Sequence, residues 1–506
     1  MSWGSGFITQ LSAAVKVPQW ELVVERTPLG ATGTAYVSHA GLVAGVPALI
    51  SRAPLFSPNR IQPVSWTPSA GTWSVEIAWT DCHRAIGMCP RGAIVSLYCT
   101  LAGNRERVAL GIVRNLTGAP QAFRIECQTL TSGLTSRLVT DPDEAQLFAD
   151  LNDGDTTVAS NYTAGDATLV LTDGSGLEKD TDTGGLYCVL VTATSGSQFY
   201  VTGTLAANTI TITTAGAFGT TDANAAATNA VTACAFINGH PLDIARKLLI
   251  SGSGSATWDT LPDKWGLTLD GSWFSHGDIN DVRDNVMVCT SGTYAWDVVV
   301  SAPVDSPWSW FQGLLSRSGA WLTMRQGDIT FRAAQEPGSP LLGSVGTIGD
   351  EMLAKTQGPS WSWQYQAQEF PIEYGFIKVQ TATGFAYEPT SLGLIAYESY
   401  PALVDCTYDL SVLVFSNETQ IRDADADRLV LYAVYPPEAF SMSLRGWAAA
   451  AWCEGDFITL DLEQLRGRQT DSGYSYEGAT AVVLESAPDF GGDTTRVRLI
   501  VFPQET

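Results

Sequence analysis

The side chains able to do acid–base, nucleophilic or metal chemistry are scattered in this sequence. Its four histidines stand at positions 39, 83, 240 and 276. They are dispersed, and a Cys or Ser nucleophile could pair with one only through the fold. The phosphate-cradling G-x-x-x-x-G-K-[ST], the G-x-S-x-G elbow and the zinc-binding H-E-x-x-H are all absent. With 52 acidic residues, carboxylate pairs are inevitable, and their presence says nothing about glycoside hydrolysis. Three clusters come nearest to a site. Cys82, His83 and Cys89 offer soft metal ligands, but they lack a C-x-x-C partner and a second histidine at ligand spacing. Asp150, Asp153 and Asp155 suggest a calcium loop, yet the EF-hand spacing and its closing glutamate are missing, which leaves solvated loop carboxylates. Asp423, Asp425 and Asp427 open a helical pattern in RDADADRLVLYAV, where the dipole favours negative charge; residues two apart do not share a helix face. His240 precedes Pro241 and reads as a helix-start contact. No catalytic, cofactor-binding or metal residue is therefore assigned, no cofactor is expected, and the chain is expected not to be an enzyme.

The elements that would hold such residues follow from composition and patterning. A chain of 506 residues has room for three or four domains of ~100–200 residues. Its 28 Lys+Arg against 52 Asp+Glu give a net charge of −24, which opposes a sequence-independent grip on nucleic acid or on an anionic membrane. At 45% hydrophobic and 16% charged residues, disorder is excluded as the dominant state. No apolar run reaches the ~18 residues of a membrane span, and MSWGSGFITQ lacks a signal peptide's basic segment; a soluble chain without a cleaved leader is expected. The nine cysteines (82, 89, 99, 127, 188, 234, 289, 406 and 453) are an odd, dispersed set. They read as buried thiols in a reducing compartment rather than a disulfide scaffold.

Strand patterns dominate. GTWSVEIAWT places Trp73, Val75, Ile77 and Trp79 on one face, and AIVSLYCTL, RVALGIVRNL and QAFRIECQTL follow at short spacing, predicting an antiparallel sandwich or barrel. From Asp150 to Cys234 the chain turns Thr-, Ala- and Gly-rich. Its strand candidates TLVLT, LYCVLVTAT, SQFYVTGTL and TITITTA predict a compact all-β module with the look of an insertion. Helical spacing then places Leu242, Ala245, Leu248 and Leu249 on one face after Pro241. A second helix is predicted with Ser306 as cap, Pro307 in its first turn, a stripe of Trp308, Phe311, Leu314 and Leu315, and a stop at Gly319. AWLTMR and DITFRA around Gln326-Gly327 predict a hairpin packed on that helix. Strands return beyond about Ser360: EYGFIKVQTATG, TYDLSVLVFS, FSMSLRGWAAA, GDFITLDL, EGATAVVLESAPDF and TTRVRLIVF. The predicted fold is mainly β and multi-domain, α+β overall: two antiparallel tube-like barrels, a small all-β insertion and a helix-plus-hairpin unit. The expected division is 1–149, 150–235, 236–359 and 360–506.

The order of these pieces resembles a known family. Residues 71–134, from GTWSVEIAWT to FRIECQTLTSGL, resemble the opening barrel of the baseplate or tail hub proteins of long-tailed, siphovirus-type bacteriophages, related to the T4-type baseplate hub. PWSWFQGLLSRSGAWLTMRQGDITFRA is similar to that family's helix plus hairpin. EGDFITLDLEQL with ATAVVLESAPDFGGDTTRVRLIVF is similar to its closing barrel, and DATLVLTDGSGL with TITITTAGAFGTTDANAAATNAV (209–231) resembles small β-modules that recur as insertions in tail proteins. The resemblance implies a homotrimer whose two barrels per chain make a pseudo-sixfold ring. Its partners would be distal tail and tail tube proteins, the tape measure protein and tail fibre or tip proteins, in a virion assembled in the host cytoplasm. DNA would be a transiting passenger that is not bound, and there would be no stable membrane insertion. Carboxylates lining the passage would deny DNA the counterion release that Lys and Arg supply. Two other classes compete. A host-surface, carbohydrate-binding tail protein would use the 150–235 module, whose aromatics are Tyr162, Tyr187, Phe199, Tyr200 and Phe218; a tail-associated cell-wall hydrolase would need a cleft with converging carboxylates or a metal.

Overall fold

The computed structural model is mainly β and is built from several sheets. It describes residues 3–13, 16–26, 35–38, 50, 53–57, 59–62, 67–69, 71–78, 91–119, 122–130, 147–182, 184–218, 220–251, 258–262, 265–289, 292–293, 296–304, 307–317, 319–333, 342–354, 360–362, 369–381, 384–396, 438–466 and 475–504.

The first sheet has seven antiparallel strands in the spatial order Ala35–Ser38, Gln19–Arg26, Ile94–Leu101, Asn104–Ala119, Ala122–Thr129, Thr72–Ala78 and Leu55–Ser57. Period-two patterning holds in Thr72–Ala78, where Trp73, Val75 and Ile77 are buried; Trp79 lies outside the described residues. Along Ile94–Leu101 the alternation fails because both faces are covered. Ile94 joins the central core with Leu110 and Ile112, while Val95, Leu97 and Cys99 pack with Phe7 and Leu11 of the helix Ser5–Leu11. That helix was not legible beforehand.

The central sheet runs Thr156–Thr157, Ala230–Gly239, Tyr187–Thr192, Gln198–Ala206, Thr209–Ala217 and Thr168–Val170. The predicted strands are present. The long strand Ala230–Gly239 pairs through its first half with Thr156–Thr157 and Tyr187–Thr192, and through its second half with Trp296–Val300. It crosses residue 235, and one apolar core continues from Leu169 and Val189 through Leu248 and Phe311 to Phe331.

The helices sit against that core. In Pro241–Ile250 the residues Leu242, Ala245, Leu248 and Leu249 are buried as their spacing predicts. His240 is the helix-start contact: its Nδ1 accepts the Leu242 N–H at 3.2 Å. Burial pulls its pKa down to about 4, which keeps the ring neutral and Nδ1 able to accept. In Pro307–Arg317 the buried stripe is Trp310, Phe311, Leu314 and Leu315. Trp310 joins the predicted Phe311, Leu314 and Leu315 in this stripe; the Trp308 side chain and the cap Ser306 lie outside the described residues. The hairpin Ala320–Arg325 and Asp328–Ala333 closes on Gln326 and Gly327, both at positive φ (51° and 82°), the geometry of a two-residue type I′ turn.

The third sheet has the order Ser344–Gly349, Phe457–Asp461, Ser475–Asp489, Thr494–Gln504, Glu438–Arg445 and Ser360–Ser362. Its first pair is parallel and the rest antiparallel, so residues 344–349 belong to the same sheet as the strands beyond 438. The described pairings of this sheet and of the first follow open paths from one edge strand to the other. Glu369–Thr381 and Gly384–Ala396 form a separate antiparallel pair. The predicted strand in TYDLSVLVFS and the helix opened by Asp423, Asp425 and Asp427 lie outside the described residues.

Candidate functional site

The functional geometry lies where the first sheet, the 320–333 hairpin and the third sheet meet, in two joints of different chemistry.

The first joint is ionic. The hairpin brings Thr323, Arg325 and Arg332 against the turn Cys453–Asp456 that leads into Phe457–Asp461. Arg332 donates to Asp456 at 3.3 Å, with both side chains almost wholly buried (3% and 4% exposed). Arg325 reaches Asp456 at 4.0 Å and Asp278, on the helix His276–Asp281, at 3.3 Å. Thr323 Oγ1 donates to Glu454 Oε1. Asp456 Oδ2 in turn accepts the Cys453 N–H at 2.9 Å, which holds the turn closed. Burial raises the Glu454 carboxyl to about 7, opposed by the Thr323 hydrogen bond, and raises the Cys453 thiol to about 12. Gly455 makes the close approach possible. Its φ is +88°, and a Cβ there would run into the Trp321 ring.

At the hairpin tip the same element grips the first sheet. Arg107 pairs with Asp328, its Nε donating at 3.1 Å. Trp3 Nε1 donates to the Arg107 carbonyl at 2.7 Å, the Trp3 N–H donates to Gln326 Oε1 at 2.7 Å, and Gln326 Nε2 reaches the Ala451 carbonyl at 3.3 Å. Gly327 lies so close to the Arg107 carbonyl that no side chain fits.

The second joint is aromatic. Phe490, at the end of Ser475–Asp489, meets Trp20 and Trp447 at 5.0 Å and Phe56 at 5.4 Å, all edge-to-face. Lys16 lies 5.0 Å over the Trp447 ring and pairs with Asp493 at 2.7 Å. Arg60, on the separate short strand pair Arg60–Gln62 and Thr67–Ser69, adds a bridge to the buried Glu485 at 2.7 Å. Between the two joints lies a cavity of ≈110 Å³ bordered by Trp3, Phe56, Trp73, Trp452, Glu454 and Phe490.

Of the clusters singled out in the sequence, only that of Asp150, Asp153 and Asp155 lies among the described residues. Asp155 Oδ1 accepts the Ala233 N–H at 2.9 Å and latches a strand, while Asp150 precedes the 3-10 turn Leu151–Gly154 and Asp153 lies within it. Among the described residues no group of three His, Cys, Asp or Glu is arranged to hold a metal. His276 Nε2 lies 3.1 Å from the Gly271 carbonyl and its ring stacks on Trp258. His39, Cys82, His83 and Cys89 lie outside the described residues. The aromatics of the central sheet are mostly core: Tyr162, Phe199 and Tyr200 are buried, and Tyr162 stacks on Phe199 with its hydroxyl on Asp222 at 3.0 Å. Cys99, Cys127, Cys188, Cys234 and Cys453 are buried thiols, and among the described residues no helix is long and apolar enough to cross a membrane.

Sequence reasoning missed the joints because their members come from many widely separated stretches, from Trp3 to Asp493. The one available signal was the run Cys453-Glu454-Gly455-Asp456, two acids and a glycine immediately before an apolar strand.

No family model matches the chain, and no curated protein matches it. Among solved structures it is similar to a tail protein from Neisseria meningitidis MC58, at 10% identity and a TM-score of 0.39 over 96% of each chain. A 43 kDa tail protein of prophage MuSo2 from Shewanella oneidensis is 9% identical, with a TM-score of 0.37 over 96% of this chain and 98% of that one. A chain in the virion of a native gene transfer agent particle is 14% identical, with a TM-score of 0.20 over 45% of this chain and 83% of that one.

Proposed function

We propose that the chain is a structural component of a phage tail, and more finely the hub of its baseplate or tip, which joins the sixfold tail tube to a threefold tip as a homotrimer and lets DNA pass. The observation that carries this reading is the pair of joints, beside which lie cavities of ≈110 and ≈130 Å³. Buried ion pairs and interlocked aromatic rings tie the first sheet, the hairpin and the third sheet into one piece, the property a load-transmitting adaptor requires and an enzyme's cleft does not. The resemblance of residues 71–134, 307–333 and 454–502 to hub proteins supports the same reading. The proposed units are a first hub barrel in 1–149, an inserted β-module in 150–235, a helix-hairpin unit in 236–359 and a second hub barrel in 360–506. Tube, tape measure and fibre proteins are the proposed partners, and the proposed place of work is the virion. The net charge of −24 suits a passage wall that does not retain DNA.

Light scattering and electron microscopy of the purified full chain test this reading. A closed threefold ring with an acidic lumen is the expected result. A monomer that clears purified cell wall, or a ring with a basic lumen, overturns the hub assignment.

A further inference from the structure

Two cysteines of the central sheet stand directly opposite each other. Cys188, on Tyr187–Thr192, is in register with Cys234, on the adjacent antiparallel strand Ala230–Gly239, and the ladder continues without a shift through Val189 opposite Ala233 and Leu190 opposite Thr232. Opposed residues project to the same face of a sheet. Both side chains accordingly belong to one small apolar cluster with Leu190, Tyr200, Ala217 and Val299, on the face away from the main core that holds Val189 and Ala233. An antiparallel pair sets its Cα atoms ~4.5 or ~5.5 Å apart according to its place in the ladder. Both spacings fall within the ~4.4–6.8 Å that disulfides span; the opposed Cβ atoms, ~4.5–5.5 Å apart in a sheet, need close only slightly to the ~3.5–4.5 Å of a disulfide. Other described cysteines are placed differently: Cys99 faces Glu106, and Cys127 stands between Trp73 and Val113.

The cover over the pair is thin. Tyr200, Phe218 and Phe236 form a chain of ring contacts at 5.6 and 5.4 Å, with Phe218 and Phe236 only half-buried. Phe218 holds a positive φ of 54° just beyond a register shift at Tyr200 and Val201, a local irregularity in the layer through which a reagent must pass.

We propose that Cys188 and Cys234 form an oxidative modification site, a dithiol that a low-molecular-weight disulfide converts into a cross-strand disulfide. One protein thiolate attacks a sulfur of the reagent, giving a mixed disulfide and releasing one reagent thiolate. The second protein thiolate attacks the protein sulfur of that mixed disulfide and releases the other. Two protein S–H bonds are lost, their protons pass to the two departing thiolates, and the two electrons reduce the reagent's S–S bond. The new bond ties the strand that opens the Thr-rich hairpin pair Gln198–Ala206 and Thr209–Ala217 to the strand that follows it, the same strand that carries Trp296–Val300 on its far half. The pair is a dithiol in a reducing cytosol and a disulfide outside it.

The test treats the native full chain with oxidised glutathione, followed by intact-mass analysis and peptide mapping under non-reducing conditions. The expected product has lost about 2 Da, the two thiol hydrogens, and yields a linked peptide pair containing Cys188 and Cys234. It melts several degrees higher than the reduced chain, and dithiothreitol reverses both changes. Cys234→Ser abolishes the link and leaves a glutathione adduct on Cys188, whereas Cys99→Ala retains the link. Should Cys234→Ser not fold, Cys188→Ala serves in its place, and the wild-type peptide map decides by itself. An unchanged mass, stable adducts without ring closure, or a link through other cysteines overturns the proposal.

Discussion

The two joints hold the same β units together by opposite means. Around Phe490 the contacts are ring on ring, with charges at the margin; around Asp456 the buried Arg332 and the partly buried Arg325 meet acids beside the Trp321 ring and a glycine. An aromatic joint draws on buried apolar area and has no partner whose loss leaves a charge behind. In an ionic joint, attraction largely offsets desolvation, so its contribution depends on complete pairing. The first should therefore resist changes of pH and salt, and the second should respond to any change that leaves a charge alone.

The largest expected effect is at Asp456. Asp456→Ala strands Arg332, at 3% exposure, and should cost ~3–5 kcal/mol in denaturant unfolding. The double variant Asp456→Leu, Arg332→Met should recover most of that loss; a double variant as unstable as the sum of the singles would remove the contrast between the joints. Phe490→Ala should cost about 3 kcal/mol by leaving a cavity among Trp20, Phe56 and Trp447, with the same loss at low and high salt. Gly455→Ala forces a Cβ into Trp321 at positive φ and should lower stability by about 1–3 kcal/mol.

Glu454 sharpens the comparison through pH. Its carboxyl is raised from an ordinary 4.5 to about 7 by burial, against the Thr323 hydrogen bond, with Asp456 raising it further and Arg332 lowering it; Cys453 beside it stays a thiol. A raised carboxyl means that the folded state binds the proton more tightly than the unfolded chain does. Its contribution is thus fully present below pH 4.5 and is lost as pH rises through about 7. Unfolding followed from about pH 5 to about pH 8 should show this decline in the parent chain and a flatter profile in Glu454→Gln; parallel profiles would exclude Glu454 as its source. The smallest effect belongs to the margin of the aromatic joint. Lys16→Met removes the pair with Asp493, which is 59% exposed, and should change stability by no more than ~1 kcal/mol, less in high salt.

Local rules were legible where a short stretch decides its own conformation. Gln326-Gly327 specifies its turn because both positions need positive φ; Pro241 with His240 sets a helix start; Trp73, Val75 and Ile77 declare one face of a strand. Patterning was blind where burial is two-sided. Ile94 to Leu97 are buried in succession because cores lie on both faces, and a run of that kind does not reveal what covers it. The helix Ser5–Leu11 escaped for a related reason: seven residues with two buried side chains, Phe7 and Leu11, give too short a period to read.

The sequence by itself determined the mainly-β class, the hairpins and helix starts, the burial of Cys99, Cys127, Cys188, Cys234 and Cys453 and the absence of a recognisable catalytic motif, because each depends on residue type and short spacing. Tertiary structure alone decided that Arg332 meets Asp456, that Arg107 meets Asp328, that Phe490 enters a ring of aromatics and that Cys188 faces Cys234. Those partners are separated by long stretches of chain. Their meeting is fixed by sheet register and by the shape of the packed units, which no local pattern encodes.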